Sequence, residues 1–135
     1  MTSKKLRVLV IDADPTELYR ACEIVAGLGI EDMLCASTFE DAVTCLDDEP
    51  SLIITDVTSI PKSKHDPTPI SGDRLIHEIR SRSRGSIVIG QIVDMSGDNM
   101  VSALLSGADD VVEKRETPSR LLDKMPMWLL VARSS

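Results

Sequence analysis

The sequence contains very few aromatic residues, with one Trp, one Tyr and one Phe among 135 residues. A hydrophobic core therefore has to be built from aliphatic side chains. Cysteine is also scarce, and Cys22, Cys35 and Cys45 include no C-x-x-C pair. This pattern favours small, buried apolar residues in a reducing cytoplasm over redox chemistry or a metal site.

Basic residues are outnumbered, since 15 Lys and Arg face 22 Asp and Glu and the net charge is −7. A nucleic-acid backbone requires a basic face, so this balance argues against DNA or RNA as a partner. The chain also lacks the roughly 20 consecutive apolar residues that a membrane-spanning helix requires. The apolar run at 6–11 is too short for a secretion signal and suits a buried strand. These absences predict a cytoplasmic protein that binds neither nucleic acid nor membrane.

The overall composition is that of an ordinary globular domain, with 42% apolar and 27% charged residues. The length suits one domain, and neither a linker nor an internal repeat interrupts the chain. We therefore expect a single domain over residues 1–135, with its core at about 5–131.

Short apolar strands alternate with amphipathic helices along the chain. The predicted strands lie at 6–12, about 32–37, 52–56, 86–93 and 110–112. The predicted helices lie at 15–29, about 39–47, from near 72, at 97–106 and from 117, and residues 57–71 are predicted to form a long loop. Such alternation indicates a parallel sheet with helices on both faces. Right-handed crossovers then favour a flavodoxin-like (βα)5 α/β fold, a doubly wound five-stranded sheet with strand order 2-1-3-4-5.

Two of the predicted strands end in an aspartate, Asp12 after the first and Asp56 after the third. These strands are neighbours in a 2-1-3 sheet, so both carboxylates are expected in one pocket beyond the carboxyl ends of the strands. Two close carboxylates repel each other unless a cation or a proton intervenes, and such a pair is a suitable seat for Mg²⁺. The fifth strand leads to Lys114, which places an ammonium group at the same edge.

These three groups predict phosphoryl transfer. One carboxylate can attack phosphorus, while a second acid holds a metal ion. The metal ion and a lysine neutralise the charge on the phosphoryl oxygens during the attack.

The sequence resembles the receiver domain of two-component response regulators across nearly its whole length. LRVLVIDADP is similar to the family's first strand and acidic pocket, and LIITDV to the strand that bears its phospho-accepting aspartate. Gly72 is similar to the glycine after the following loop, and SALLSGADDVVEK to the fourth helix, the GAD turn and the strand-five lysine. The order and spacing of these segments together carry the resemblance.

The resemblance implies a phosphoacceptor at Asp56, an acidic-pocket residue at Asp12 and a phosphate-sensing lysine at Lys114. It also implies Mg²⁺ bound by Asp12, Asp56 and the backbone carbonyl of Thr58. The implied protein is a stand-alone, cytoplasmic phosphoprotein of a phosphorelay, and a histidine kinase or a phosphotransfer protein is its phosphate donor. Its output is docking to a downstream protein, and it is no enzyme beyond self-phosphorylation and dephosphorylation at Asp56.

The sequence departs from the family at the positions that bind the metal or relay the signal. Ala13 stands where the family has a second metal-binding acid, which implies weaker Mg²⁺ binding. The Ser or Thr that ends strand four falls on Gln91 or Ile92, depending on a one-residue alignment choice. The aromatic residue of strand five falls on Val111, and the proline after the lysine is Arg115.

These departures leave a second hypothesis open, a degenerate receiver that acts as a protein-interaction module without phosphorylation. A more remote alternative is a haloacid-dehalogenase-type phosphatase, because the D-x-D-x-T motif at 12–16 resembles that family's first motif. Asp12 would then be the nucleophile and Asp14 the acid/base. Local sequence explains Asp14 better as the N-cap of the first helix, with Pro15 at N1 and Glu17 at N3.

The end of the chain contains a predicted fifth helix with an apolar run at 125–131. Most of this run is predicted to be core, with a kink at Pro126. Part of it is a candidate face for a homodimer or another partner, because exposed apolar patches usually mark contacts.

Overall fold

The computed structural model describes residues 6–93, 97–114, 123–124, 126–128 and 130–131. The strands are β1 Arg7–Ile11, β2 Asp32–Ala36, β3 Leu52–Asp56, β4 Ile60–Ser63, β5 Asp66–Ile70, β6 Ile87–Ile92 and β7 Asp110–Glu113. The helices are α1 Pro15–Gly27, α2 Phe39–Cys45, α3 Gly72–Arg82 and α4 Gly97–Ser106, with a 3₁₀ turn at Leu46–Asp48. The residues described between 123 and 131 are helical, and the predicted start of this helix at 117 lies outside the described residues.

The main sheet has five parallel strands in the order β2-β1-β3-β6-β7. β6 and β7 are the fourth and fifth strands of this sheet, so the predicted order 2-1-3-4-5 is confirmed. β3 is central, and its five residues Leu52–Asp56 are all buried. The strand is covered on both faces, which explains why its sequence is a continuous apolar run and does not alternate.

The core consists of two aliphatic layers, one on each face of the sheet. Leu9 and Ile11 of β1 point into the layer beneath α2, α3 and α4. Val8 and Val10 point into the other layer, which also contains residues of α1. Successive residues of a strand face opposite sides, so one strand contributes to both layers.

The start of α1 confirms the structural interpretation of Asp14. The side chain of Asp14 accepts hydrogen bonds from the backbone N–H of Thr16, at 2.9 Å, and of Glu17, at 3.4 Å. Pro15 follows at the first helical position, where a missing N–H costs nothing. The Asp14 carboxylate is therefore engaged in capping α1.

The prediction of a long loop at residues 57–71 is wrong, because β4 and β5 within it form an antiparallel hairpin. Prolines suggested a loop, but Pro61 and Pro69 lie opposite each other in a two-stranded sheet, which has two free edges that tolerate proline. Ile60 and Ile70, also paired, are only 1% and 6% exposed. The hairpin is therefore anchored to the core by these two side chains.

The prediction that all three cysteines are buried is also wrong. Cys35 lies on β2, at the edge of the sheet, and its side chain is exposed, while Cys22 and Cys45 are half-buried. Within the ranges given above, no helix has both the length and the apolar character needed to span a bilayer.

Candidate functional site

Three charged side chains meet at the carboxyl-end edge of the main sheet. Asp12 follows β1, Asp56 ends β3 and Lys114 follows β7. Nζ of Lys114 lies 2.8 Å from Oδ2 of Asp12 and 2.8 Å from Oδ2 of Asp56. The structure thus brings together the three residues that the sequence placed in one pocket. β6 separates β3 from β7, and the long lysine side chain spans that distance.

This network is shielded from water. Asp12 is 1% exposed and Asp56 is 4% exposed, and the side chain of Lys114 is 13% exposed. Two carboxylates face one ammonium group, so the cluster keeps a surplus negative charge when all three groups are ionised. Such a cluster is suited to binding an additional cation.

The other carboxylate oxygens are held by the backbone turns that follow the strands. The backbone N–H of Asp14 donates to Oδ1 of Asp12 at 2.9 Å. The backbone N–H and the hydroxyl of Thr58 both donate to Oδ1 of Asp56 at 2.9 Å. The sequence interpretation used only the backbone carbonyl of Thr58 and missed its hydroxyl. The available signal was an Asp followed two positions later by Thr, a spacing typical of a local side-chain turn.

Burial and charge shift the pKa values of this network. Burial raises the pKa of Asp12 above its usual 3.8, and hydrogen bonds from Lys114 and the Asp14 backbone only partly offset this effect. Burial lowers the pKa of Lys114, but its hydrogen bonds to Asp12 and Asp56 outweigh burial, so the net shift is upward from 10.5. Lys114 is therefore a stable cation at neutral pH.

Asp12 and Asp56 provide the carboxylate oxygens that Mg²⁺ prefers as ligands. Oδ2 of Asp12 and Oδ2 of Asp56 both contact Nζ of Lys114, so the two carboxylates lie side by side. Mg²⁺ is commonly bound by one or two carboxylates and several waters. Ala13 offers no ligand, and Asp14 caps α1. Among the residues that the structure describes, no three His, Cys, Asp or Glu side chains form a metal-binding group.

The residues that depart from the receiver pattern supply no hydroxyl beside Asp56. Gln91 lies directly opposite Asp56 in the β3–β6 ladder and is buried. Ile92, the next residue, packs into the core layer beneath α2, α3 and α4, and Val111 packs into the same layer. Arg115 lies outside the described residues.

A cleft opens beside the network and is lined by Glu17, Arg20, Val93 and Lys114. A second, smaller pocket shares Glu17, Arg20 and Lys114 with this cleft and is also lined by Asp12. Glu17 and Arg20 lie one turn apart on α1 and form an ion pair at 3.7 Å. The guanidinium group of Arg20 is thus a second cation at the entrance to the site, which the sequence interpretation missed. Helix periodicity places this residue on the α1 surface but does not indicate which strand ends it faces.

Neither a family model nor a curated protein matches the chain, whereas many solved structures do. A CheY-like response regulator receiver domain protein from Methanospirillum hungatei JF-1 aligns with a TM-score of 0.79 and 23% identity, over 97% of this chain and 98% of that one. The signal receiver domain of an HD domain-containing protein from Pseudomonas fluorescens Pf-5 gives a TM-score of 0.80 and 19% identity, over 98% and 100%.

The RcsB response regulator of Salmonella typhimurium gives a TM-score of 0.78 and 16% identity over 93% of this chain. The chain spans only 60% of the length of that regulator. These similarities establish that the chain has the fold of response-regulator receiver domains. The predicted resemblance is confirmed at the level of the fold.

Proposed function

We propose that the chain is a receiver module of two-component signalling that accepts a phosphoryl group on Asp56. The observation that supports this function is the buried network in which Lys114 contacts both Asp12 and Asp56 at 2.8 Å. An acid at a strand end, held by a lysine and beside a second acid, has little structural purpose. The network provides a nucleophile in Asp56, a charge-neutralising cation in Lys114 and a second carboxylate in Asp12 that could hold a metal ion.

The chemistry follows from the positions of these side chains. A carboxylate oxygen of Asp56 attacks the phosphorus of a phosphohistidine, the P–N bond breaks, and the imidazole leaves with the electron pair and takes up a proton. Lys114 then pairs with a phosphoryl oxygen, and Arg20 at the cleft entrance attracts the incoming anionic group. Mg²⁺, held by Asp12, Asp56 and the backbone carbonyl of Thr58, would neutralise further charge on the phosphoryl oxygens.

The proposed partners follow from this chemistry. The donor is a histidine kinase or a phosphotransfer protein, and the modified domain alters its affinity for a downstream protein. Phosphorylation would change the charge at Asp56, which is hydrogen-bonded to Thr58. Thr58 lines a surface cavity together with Asp73 of α3 and Ser102 of α4, so these two helices lie close to the modified residue. Ser102 also donates a hydrogen bond to Asp73, so these two helices are linked beside the site.

The first experiment is labelling of the pure protein with acetyl phosphate and magnesium, combined with amide NMR in beryllofluoride. We expect near-stoichiometric labelling and amide shifts centred on Asp56, Lys114 and α4. Both effects should be absent in Asp56→Asn and retained in Asp47→Asn, a matched change at an exposed acid. Labelling that persists in Asp56→Asn would assign the phosphoacceptor elsewhere, and no labelling of the wild type would overturn the proposal.

A specific observation favours a second candidate, an interaction module that works without phosphate. Ala13 provides no metal ligand, and neither Gln91 nor Ile92 provides the hydroxyl that relays phosphorylation. This candidate predicts an intact fold without magnesium-dependent labelling, and a partner that binds wild type and Asp56→Asn equally. No observation favours the phosphatase alternative, because the Asp14 carboxylate that would serve as acid/base caps α1.

A further inference from the structure

Two thiols lie side by side between α1 and β2. Sγ of Cys22 and Sγ of Cys35 are 2.7 Å apart, although the residues are 13 positions apart in sequence. Both are free cysteines in this structure. A disulfide bond is about 2.05 Å long, so a small movement of the two side chains would bring the sulfurs to bonding distance.

The two sulfurs differ in their access to solvent. Cys35 is exposed on β2, an edge strand of the main sheet. Cys22 is half-buried and packs against the core layer beneath α1. A small oxidant in solution therefore reaches Cys35 first, and Cys22 is placed behind it as the partner thiol.

We propose that Cys22 and Cys35 form a reversible disulfide when the protein meets a peroxide, and that this bond joins α1 to the edge strand β2. The proposal is independent of phosphorylation at Asp56. It replaces the expectation from sequence spacing that the cysteines have only a packing role.

The reaction consumes one peroxide per disulfide. The Cys35 thiolate attacks a peroxide oxygen, the O–O bond breaks, and Cys35 becomes a sulfenic acid. The departing hydroxide takes up the proton that the Cys35 thiol lost and leaves as the first water. The Cys22 sulfur then attacks the Cys35 sulfur, the S–O bond breaks, and the second water leaves. The two thiols lose two hydrogen atoms in total, and the peroxide is reduced to two waters.

The acidity of Cys22 agrees with this order of events. Burial raises the pKa of Cys22 to about 12, and its contact with Cys35 adds to the effect. Cys22 is therefore a neutral thiol at physiological pH and a poor first target for peroxide, since the thiolate is the reactive form. Cys22 attacks the sulfenic acid of Cys35 because the two sulfurs are held next to each other, not because the Cys22 thiol is acidic.

The test uses the reduced full chain and hydrogen peroxide, followed by maleimide labelling of the unfolded protein and intact mass measurement. The reduced chain should bind three maleimides, one per cysteine. The oxidised chain should bind one and weigh two hydrogen atoms less before labelling. Peptide mapping should link Cys22 to Cys35, and a reducing agent should restore three labels.

Matched single substitutions separate the proposed bond from general oxidation. Cys45→Ser, on α2 at the other core layer, should still form the disulfide. Cys22→Ser should instead accumulate a sulfenic acid on Cys35 that reacts with dimedone. This adduct is detected by mass, so it tests the role of Cys22 even if the variant is less stable. Unchanged labelling after peroxide, a bond that involves Cys45, or bonds between chains only would overturn the proposal.

Discussion

At the scale of single residues, Asp12, Asp56 and Lys114 combine two buried carboxylates with one buried ammonium group. Ionisation of Asp12 costs more free energy in the folded protein than in the unfolded chain, since burial raises the pKa of Asp12 above 3.8. A raised pKa means that the folded state holds a proton more tightly than the unfolded chain. The contribution of Asp12 to stability is therefore greatest below pH 3.8 and falls as the pH rises through its folded pKa.

We expect Asp12→Asn to stabilise the protein at pH 7 by on the order of 1 kcal/mol, because it removes the surplus buried charge. The gain should shrink as the pH approaches 3.8, where the wild type itself becomes protonated at Asp12. Urea unfolding at several pH values measures both effects. Asp47→Asn at an exposed position is the control and should change stability by less than about 0.5 kcal/mol. A less stable Asp12→Asn at pH 7 would show that attraction to Lys114 outweighs burial.

The hydroxyl of Thr58 also acts at the scale of a single residue, and it donates a hydrogen bond to Oδ1 of Asp56. Thr58→Val keeps the shape and the backbone donor but removes this hydroxyl. We expect acetyl phosphate labelling of Asp56 to slow by up to about tenfold, the factor for one hydrogen bond of about 1.4 kcal/mol. Thr58→Ser should restore the rate. Equal rates for Thr58→Val and the wild type would mean that the backbone N–H alone positions Asp56.

At the scale of elements, α3 begins so close to the chain after β3 that its first residue has to be glycine. A Cβ added to Gly72 would lie 1.9 Å from the carbonyl oxygen of Val57. That carbonyl precedes Thr58, so the same contact positions the turn that holds Asp56.

We expect Gly72→Ala to destabilise the protein by roughly 2 kcal/mol or more, because backbone atoms must move apart. It should also slow labelling of Asp56 through displacement of Thr58. Gly27→Ala is the matched control, because a Cβ there meets nothing within 4 Å and alanine favours the helix. Chemical unfolding and labelling rates measure both variants. A Gly72→Ala protein as stable as Gly27→Ala would contradict the close approach.

The β4–β5 hairpin gives the other element-scale prediction. Its anchor Ile60 is 1% exposed and belongs to the core layer beneath α2 and α3. We expect Ile60→Ala to cost about 2–4 kcal/mol in unfolding free energy, the range for a buried aliphatic truncation. Hydrogen exchange should show protected amides in β4 and β5 of the wild type. Thr68→Ala on the exposed face is the control, and equal effects of the two changes would argue that the hairpin is not anchored.

At the scale of the whole molecule, Lys114 joins the ends of three strands and its charge affects global stability. Its pKa is raised in the fold, so its contribution is fully present below pH 10.5 and is lost as the pH rises through the folded value. We expect Lys114→Met to lower the unfolding free energy by about 3 kcal/mol at pH 7, because two buried carboxylates lose their cation. The variant should also lose less stability than the wild type above pH 10.5.

Chemical unfolding from neutral to alkaline pH measures this prediction. Lys64→Met, at an exposed position of the hairpin turn, is the control and should follow the wild type. Parallel alkaline losses in Lys114→Met and the wild type would assign the alkaline transition to other groups.

Local sequence determined the order and type of the main-sheet elements and the edge at which Asp12, Asp56 and Lys114 meet. The hydrophobic period distinguishes strands from helices, and the carboxyl ends of parallel strands lie on one edge whatever the packing details. The N-cap role of Asp14 was equally local, because the donors to its carboxylate are the backbone N–H groups of the next residues.

Only the tertiary structure decided the hairpin at 60–70, the exposure of Cys35 and its contact with Cys22. Prolines indicate loops by local rules, and only the burial of Ile60 and Ile70 against the rest of the fold explains why paired strands form there. The proximity of Cys22 to Cys35 depends on how α1 lies on β2. Such contacts join residues distant in sequence through packing, and no local period encodes them.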